Sequence, residues 1–161
     1  MQKNFRFIGY MLVSFMLISC VSTEKIDSIV IEPQPGISGN YKFEAWRPNT
    51  TGEFVAINAL LDQADVLIEN NAFEVATDKL ERALRIKPQY APTWSRLSWL
   101  ALASGAPERS VQMAKRSNSF AFSSPQLQSL NWSFIRSASE ILLDDATFDR
   151  ANQAMEALKT F

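Results

Sequence analysis

Residues 57–90 read INALLDQADVLIENNAFEVATDKLERALRIKPQY. Leu60, Ala64 and Leu67, then Phe73, Ala76, Leu80 and Ala83, recur three and four positions apart in two runs, the spacing of one face of an α-helix. Asn70-Asn71 separates the runs, and asparagine tolerates the left-handed backbone that a tight turn needs. Two helices joined so briefly lie antiparallel. Ala64 and Ala76 are small where the two helices must pass closely. Pro88 lacks an N–H and forces an extended residue before it, so it closes the second helix.

Working outward, the pattern restarts at Ala91, 34 residues after Ile57. Trp94, Leu97 and Ser98 take the large, apolar and small positions, Gly105 falls at the turn, and Pro107 opens the second helix where proline is tolerated. Ser110, Ala114 and Ser117 continue it, without a closing proline. A third pair fits Ile135, Ala138, Ser139, Leu142, Phe148, Ala151, Met155 and Leu158 if the unit starts at Trp132, 41 residues after Ala91. Ser123-Ser124-Pro125 reads as a helix start, so the extra residues lengthen the first helix to Pro125–Leu143, and Asp144-Asp145 caps a last helix from Ala146 to Lys159.

Leu60, Ala64, Leu67, Phe73, Ala76, Leu80, Ala83 and Pro88 together resemble the eight defining positions of a tetratricopeptide repeat. The resemblance implies an all-α domain over residues 56–161, a short superhelix of about three antiparallel helix pairs. It also implies a concave groove lined by the first helix of each pair. The matching positions are Asn58, Leu61, Asp65, Ile68 and Glu69, then Ser95, Trp99, Leu102 and Ala103, then Ser133, Arg136, Glu140 and Leu143. Among them Asp65, Glu69, Ser95, Trp99, Leu102 and Arg136 are the candidate partner-binding residues. Trp99 is of the type enriched at binding hot spots, although a tryptophan at that spacing also suits packing inside the stack. The family's lysine-and-asparagine clamp for peptide C-termini is not matched, since Leu61, Asp65 and Arg96 stand in its places.

Upstream, Val21 to about Gly52 is punctuated by Pro33, Pro35, Gly36, Gly39, Pro48 and Gly52, and no helical period survives. Residues 20–55 are expected to form a flexible linker, with an r.m.s. span of roughly 30 Å and a stretched reach of about 100 Å. Ile29-Val30-Ile31 has the composition of a short strand, and Tyr41, Phe43 and Trp46 are unusual in a pure spacer; packing on the domain is favoured over a separate binding motif. Lys3 and Arg6 precede an apolar run, Phe7 to Ile18, which at 1.5 Å per residue covers about 18 Å and is too short for a hydrocarbon core of about 30 Å. It reads as a signal peptide over residues 1–19.

Leu17-Ile18-Ser19-Cys20 resembles the bacterial lipobox. That resemblance implies cleavage before Cys20, a thioether-linked diacylglycerol on its sulfur and an acyl group, such as palmitate, on the new N-terminus; two or more chains anchor stably where one does not. Val21 is not the aspartate that marks inner-membrane retention, which implies the periplasmic face of the outer membrane. Loss of Lys3 and Arg6 leaves 14 basic against 17 acidic residues, a balance that gives no help in attaching to anionic lipid.

The 161 residues are 47% hydrophobic, enough for one cored domain and against wholesale disorder. With no histidine there is no Ser-His-Asp triad and no histidine-built zinc site, and one cysteine forms neither an internal disulfide nor a CxxC site. The formal charge of −1 carries no basic footprint for nucleic acid. Asp144, Asp145 and Asp149 lack calcium-loop spacing, the five glycines build no phosphate loop, and no serine sits in a nucleophile motif. The expectation is a binding protein with no catalytic residue, metal or cofactor.

Lipobox, linker and repeat domain together resemble outer-membrane lipoproteins of the LpoP type, which implies a class A penicillin-binding protein as partner and activation of peptidoglycan synthesis as the role. The alternative is an adaptor or pilotin lipoprotein that scaffolds wall hydrolases or helps secretin and pilus assembly. Replacing Cys20 with alanine is expected to release the protein from the membrane fraction; an unchanged fraction would refute the anchor.

Overall fold

The computed structural model describes residues 51–159, and the described residues form six helices and no strand. These are α1 (Glu53–Glu69), α2 (Phe73–Ile86), α3 (Ala91–Ala103), α4 (Pro107–Asn118), α5 (Pro125–Leu142) and α6 (Asp145–Leu158). The signal segment, Cys20 and the linker up to residue 50, including Ile29-Val30-Ile31 and Tyr41, Phe43 and Trp46, lie outside the described residues. Helices pack as the pairs α1–α2, α3–α4 and α5–α6, and the second helix of each of the first two pairs lies against the first helix of the next. This all-α stack of three helical pairs is compatible with a tetratricopeptide-like fold.

The three turns inside the pairs share one backbone solution. Asn71, Gly105 and Leu143 take left-handed φ values of 57°, 72° and 55°. In each turn the following N–H bonds back to a carbonyl five residues earlier: Ala72 to Leu67 at 2.8 Å, Ala106 to Ala101 at 2.8 Å, and Asp144 to Ser139 at 2.9 Å. This is the Schellman arrangement, which satisfies carbonyls that the helix end leaves open. Between α2 and α3, Lys87 is extended (φ −139°, ψ 93°), as the residue before Pro88 must be. Pro107 and Pro125 sit at the starts of α4 and α5. The Ser124 hydroxyl caps α5 by accepting from Leu127 N–H (3.4 Å), and the Asp144 carboxylate caps α6 by accepting from Thr147 N–H (3.0 Å).

The third pair keeps the expected bounds to within one residue, with α5 ending at Leu142 and Asp144 capping α6, but its turn comes earlier in the unit than in the other two. A unit starting at Trp132 places its turn at residue 146, by analogy with Asn71 and Gly105, but the left-handed residue is Leu143. Ala76 and Ser110, both fully buried, follow their turn residues by five positions, whereas the fully buried Ala151 follows Leu143 by eight. The seating point of α6 has therefore moved by nearly one helical turn. Lengthening of α5 was legible from Ser124-Pro125, and the start of α6 from the cap at Asp144-Asp145.

One core runs through all three pairs, built on Ile57, Leu61, Leu80, Leu102, Phe134 and Ile135. Around it the middle of the stack is closed by small polar residues. Ser98 Oγ donates to the Ser110 carbonyl at 2.9 Å and lies 3.0 Å from the Ser110 hydroxyl. Ser117 Oγ donates to the Ala91 carbonyl (2.9 Å), while Asn131 Nδ2 donates to Ser117 Oγ and Asn118 Oδ1, both at 2.8 Å. These bonds tie α3, α4 and α5 together, and α4 lies along α5 as extensively as helices do within a pair.

Leu143 is 87% exposed and left-handed, a conformation that is costly for a residue with a Cβ, so Leu143→Gly should stabilise the domain by about 1 kcal/mol in urea unfolding. A neutral or negative change would show that the leucine side chain packs usefully. Bonds from the Thr147 hydroxyl and its N–H hold the Asp144 carboxyl below the ordinary aspartate range, with Arg150 and Lys115 adding a smaller attraction. Its contribution is thus complete above the unfolded value near 3.9 and is lost as pH falls through the lower folded value. Asp144→Asn should flatten the acid limb of a stability–pH curve, and an unaltered limb would contradict this capping role.

Candidate functional site

α3 is the axis of the domain. Eleven of its thirteen residues are buried, and only Trp94 and Trp99 keep an exposed edge. Its sequence, APTWSRLSWLALA, explains this: apolar or small residues occupy every side, and no solvated face is left. Arg96 is its one charge, and its side chain is 0% exposed. It reaches α1, where Nε lies 2.7 Å from Asp65 Oδ1 and Nη2 lies 2.8 Å from Oδ2, while Nη1 donates to the Pro92 carbonyl at 3.2 Å. The fork-to-carboxylate geometry is the strongest ion-pair arrangement available to arginine. Asp65 keeps 20% exposure, so water reaches its outer side.

Two further contacts join the first pair to the second. The Tyr90 hydroxyl donates to Asn58 Oδ1 at 3.2 Å, and its ring lies 5.5 Å from Phe54. Trp99 stands edge-on to Phe73 at 5.7 Å and 89°. Such an edge-to-face pair adds to simple burial, and it fixes Trp99 as a packing residue with one open edge.

The groove expected from the family pattern is correspondingly reduced. Ser95 and Leu102 are fully buried, as are Leu61 and, nearly so, Ile68 and Ala103; they do not present themselves to a partner because α3 is enclosed rather than flanking an open face. The hydroxyls of Ser95 and Thr93 have no hydrogen-bond partner among the described residues. Asp65, expected as a free groove carboxylate, is instead bound by Arg96. Glu69 at the end of α1 is exposed, as is Glu140, and Arg136 is half-exposed on α5. Of the candidate partner-binding set, Glu69, Arg136, the edge of Trp99 and the outer side of Asp65 are the parts that another molecule can touch.

The Asp65–Arg96 pair was within reach of the sequence. Arg96 is the one charged residue between Lys87 and Glu108, and a lone charge in an all-round apolar helix needs a buried counter-charge. A shallow cleft of about 290 Å³ lies between the start of α5 and the end of α6, lined by Pro125, Gln126, Ser129, Leu158 and Lys159. No group of three or more His, Cys, Asp or Glu residues with metal-holding geometry occurs among the described residues. Nor is any described helix long and apolar enough to cross a membrane. No protein-family model, curated protein or solved structure matches the chain.

Asp65→Ala strands the Arg96 guanidinium in the interior and should cost about 3 kcal/mol in urea unfolding. The double variant Asp65→Leu, Arg96→Met removes both charges and should recover most of that loss. Equal destabilisation in the double variant would show that packing, not the buried charge, sets the cost.

Proposed function

We propose that the chain is a lipid-anchored envelope protein whose helical stack binds another protein and carries out no chemistry of its own. The observation that carries this reading is Leu17-Ile18-Ser19-Cys20, set after a short apolar run and joined by a proline- and glycine-marked segment to a stack of helical pairs. An acylated Cys20 holds the chain at the outer membrane, facing the periplasm, and the linker lets the domain search a volume set by its reach. The favoured partner is a class A penicillin-binding protein, which the domain activates by docking and so raises peptidoglycan synthesis. Glu69, Glu140 and Arg136 supply accessible charge for such a contact, and the open edge of Trp99 supplies an aromatic one.

A photo-crosslinking amino acid at Glu69, which is exposed and lies at a helix end, tests the partner directly. Capture of a penicillin-binding protein in cells is the expected outcome. Capture of a wall hydrolase or a secretin overturns the synthase reading in favour of an adaptor or pilotin. Turnover of peptidoglycan by the purified protein alone would overturn the non-catalytic reading altogether.

A further inference from the structure

The two ends of the stack differ in chemistry. The left-handed turns at Asn71, Gly105 and Leu143 mark one end, where α1, α3 and α5 finish and α2, α4 and α6 begin. Glu69, Glu74, Glu108, Glu140, Asp144 and Asp145 lie toward that end, with Arg109, Arg136 and Arg150 among them, and Lys115 of α4 is near enough to attract Asp144. At the opposite end the last turns of α2 and α4 carry Arg85 and Arg116, and Lys87 follows α2. Glu53 opens α1 at that end, and Glu156 is paired there with Lys159 at 2.5 Å. From Arg82 to Ser139 the sequence holds eight basic residues and one acid, Glu108.

The helix dipole favours Glu74, Glu108, Asp144 and Asp145 at N-termini and Arg85 and Arg116 at C-termini, but not Glu69 and Glu140 in the last turns of α1 and α5. It does not account for the apolar residues among the bases. Phe122, in the connection between α4 and α5, is 84% exposed, and Ile86 at the end of α2 is 45% exposed. Phe120 is half-buried, and the Arg116 guanidinium lies 5.1 Å from its ring and 5.7 Å from that of Trp94. The cation is thus held on two aromatic faces, in the helix that leads to the exposed Phe122. Aromatic residues with lysine and arginine beside them suit the headgroup layer of a membrane, where the ring enters the acyl boundary and the cation meets phosphate.

We propose that this end of the stack docks on the surface of an anionic lipid bilayer, with Phe120 and Phe122 entering the headgroup region and Arg85 and Arg116 facing lipid phosphates. Charge complementarity selects lipid of that sign. Residues 1–50 join the domain at the start of α1, so the segment that carries Cys20 enters at this same end. The docking itself does not require acylation.

Amide hydrogen exchange of the full chain tests it, on vesicles of phosphatidylcholine alone and of phosphatidylcholine mixed with phosphatidylglycerol. Exchange across residues 115–124 should slow on the mixed vesicles and not on the neutral ones, and raised salt should restore it. Phe122→Ser, which removes an exposed side chain, should abolish the protection with the helical circular dichroism unchanged. Arg85→Glu with Arg116→Glu should weaken the charge-dependent part of vesicle binding by roughly twentyfold or more. Cys20→Ala should keep the same dependence on lipid charge, which separates this proposal from the anchor. Equal protection on both lipids, protection at Asn71, Gly105 and Leu143 instead, or unchanged exchange at 115–124 in vesicle-bound protein would overturn it. The last outcome would assign the face to a protein partner.

Discussion

Every pair carries fully buried small residues: Ala64 and Ala76 in the first, Ser98, Ser110 and Ala114 in the second, Ala138 and Ala151 in the third. Close approach of helix backbones is the constraint on which the rest depends. Side chains of one or two heavy atoms leave no void when the helices are near and no room when they are nearer, so they set the interhelical distance from both sides. The larger groups, Ile57, Leu80, Phe134 and Ile135 among them, fill the space that remains around these contacts. In the middle pair serine replaces alanine, and each hydroxyl then needs a partner. Ser98 and Ser117 find carbonyls at 2.9 Å, so polarity at the seam becomes directional linkage instead of a desolvation cost.

The same closeness shapes what the domain can offer a partner. With α3 enclosed, its one charge has to be neutralised inside the molecule, and Asp65 is near enough to do so with both oxygens. A buried ion pair is weak evidence for stability but a strong determinant of registry, because any sliding of α1 along α3 would separate the charges. Tyr90–Asn58 and Trp99–Phe73 pin the same boundary at other heights. Three side chains that a repeat pattern assigns to recognition, Asp65, Trp99 and Asn58, are therefore wholly or partly occupied in holding the first pair to the second.

This explains which features were legible in the sequence. Asn71, Gly105, Pro88, Pro107, Ser124 and Asp144 act through their own backbone conformation or their nearest N–H groups, and their consequences follow from residue type alone. The helix pairs and the long α5 could be read from them. Ser95 and Leu102 were misassigned to the groove because helical periodicity gives a residue's angle on its own helix, not what covers that angle. Enclosure of α3 could have been inferred from the missing polar face of APTWSRLSWLALA. The longer distance from the third turn to Ala151 was legible as well, from Asp144-Asp145 as the cap and Ala151 as the small residue that follows it.

Net charge misleads in a related way. A formal −1, or a mildly acidic mature chain, treats the domain as a point. Yet α1 alone has 17 residues and spans about 25 Å, three times the roughly 8 Å over which charges at physiological ionic strength sense one another. An approaching surface at one end does not feel the acids at the other. It meets Arg85 and Arg116 with exposed Phe122 at the same end, or else Glu69, Glu140, Asp144 and Asp145. Attraction to anionic lipid was dismissed on the sum; it is decided by which end meets the surface.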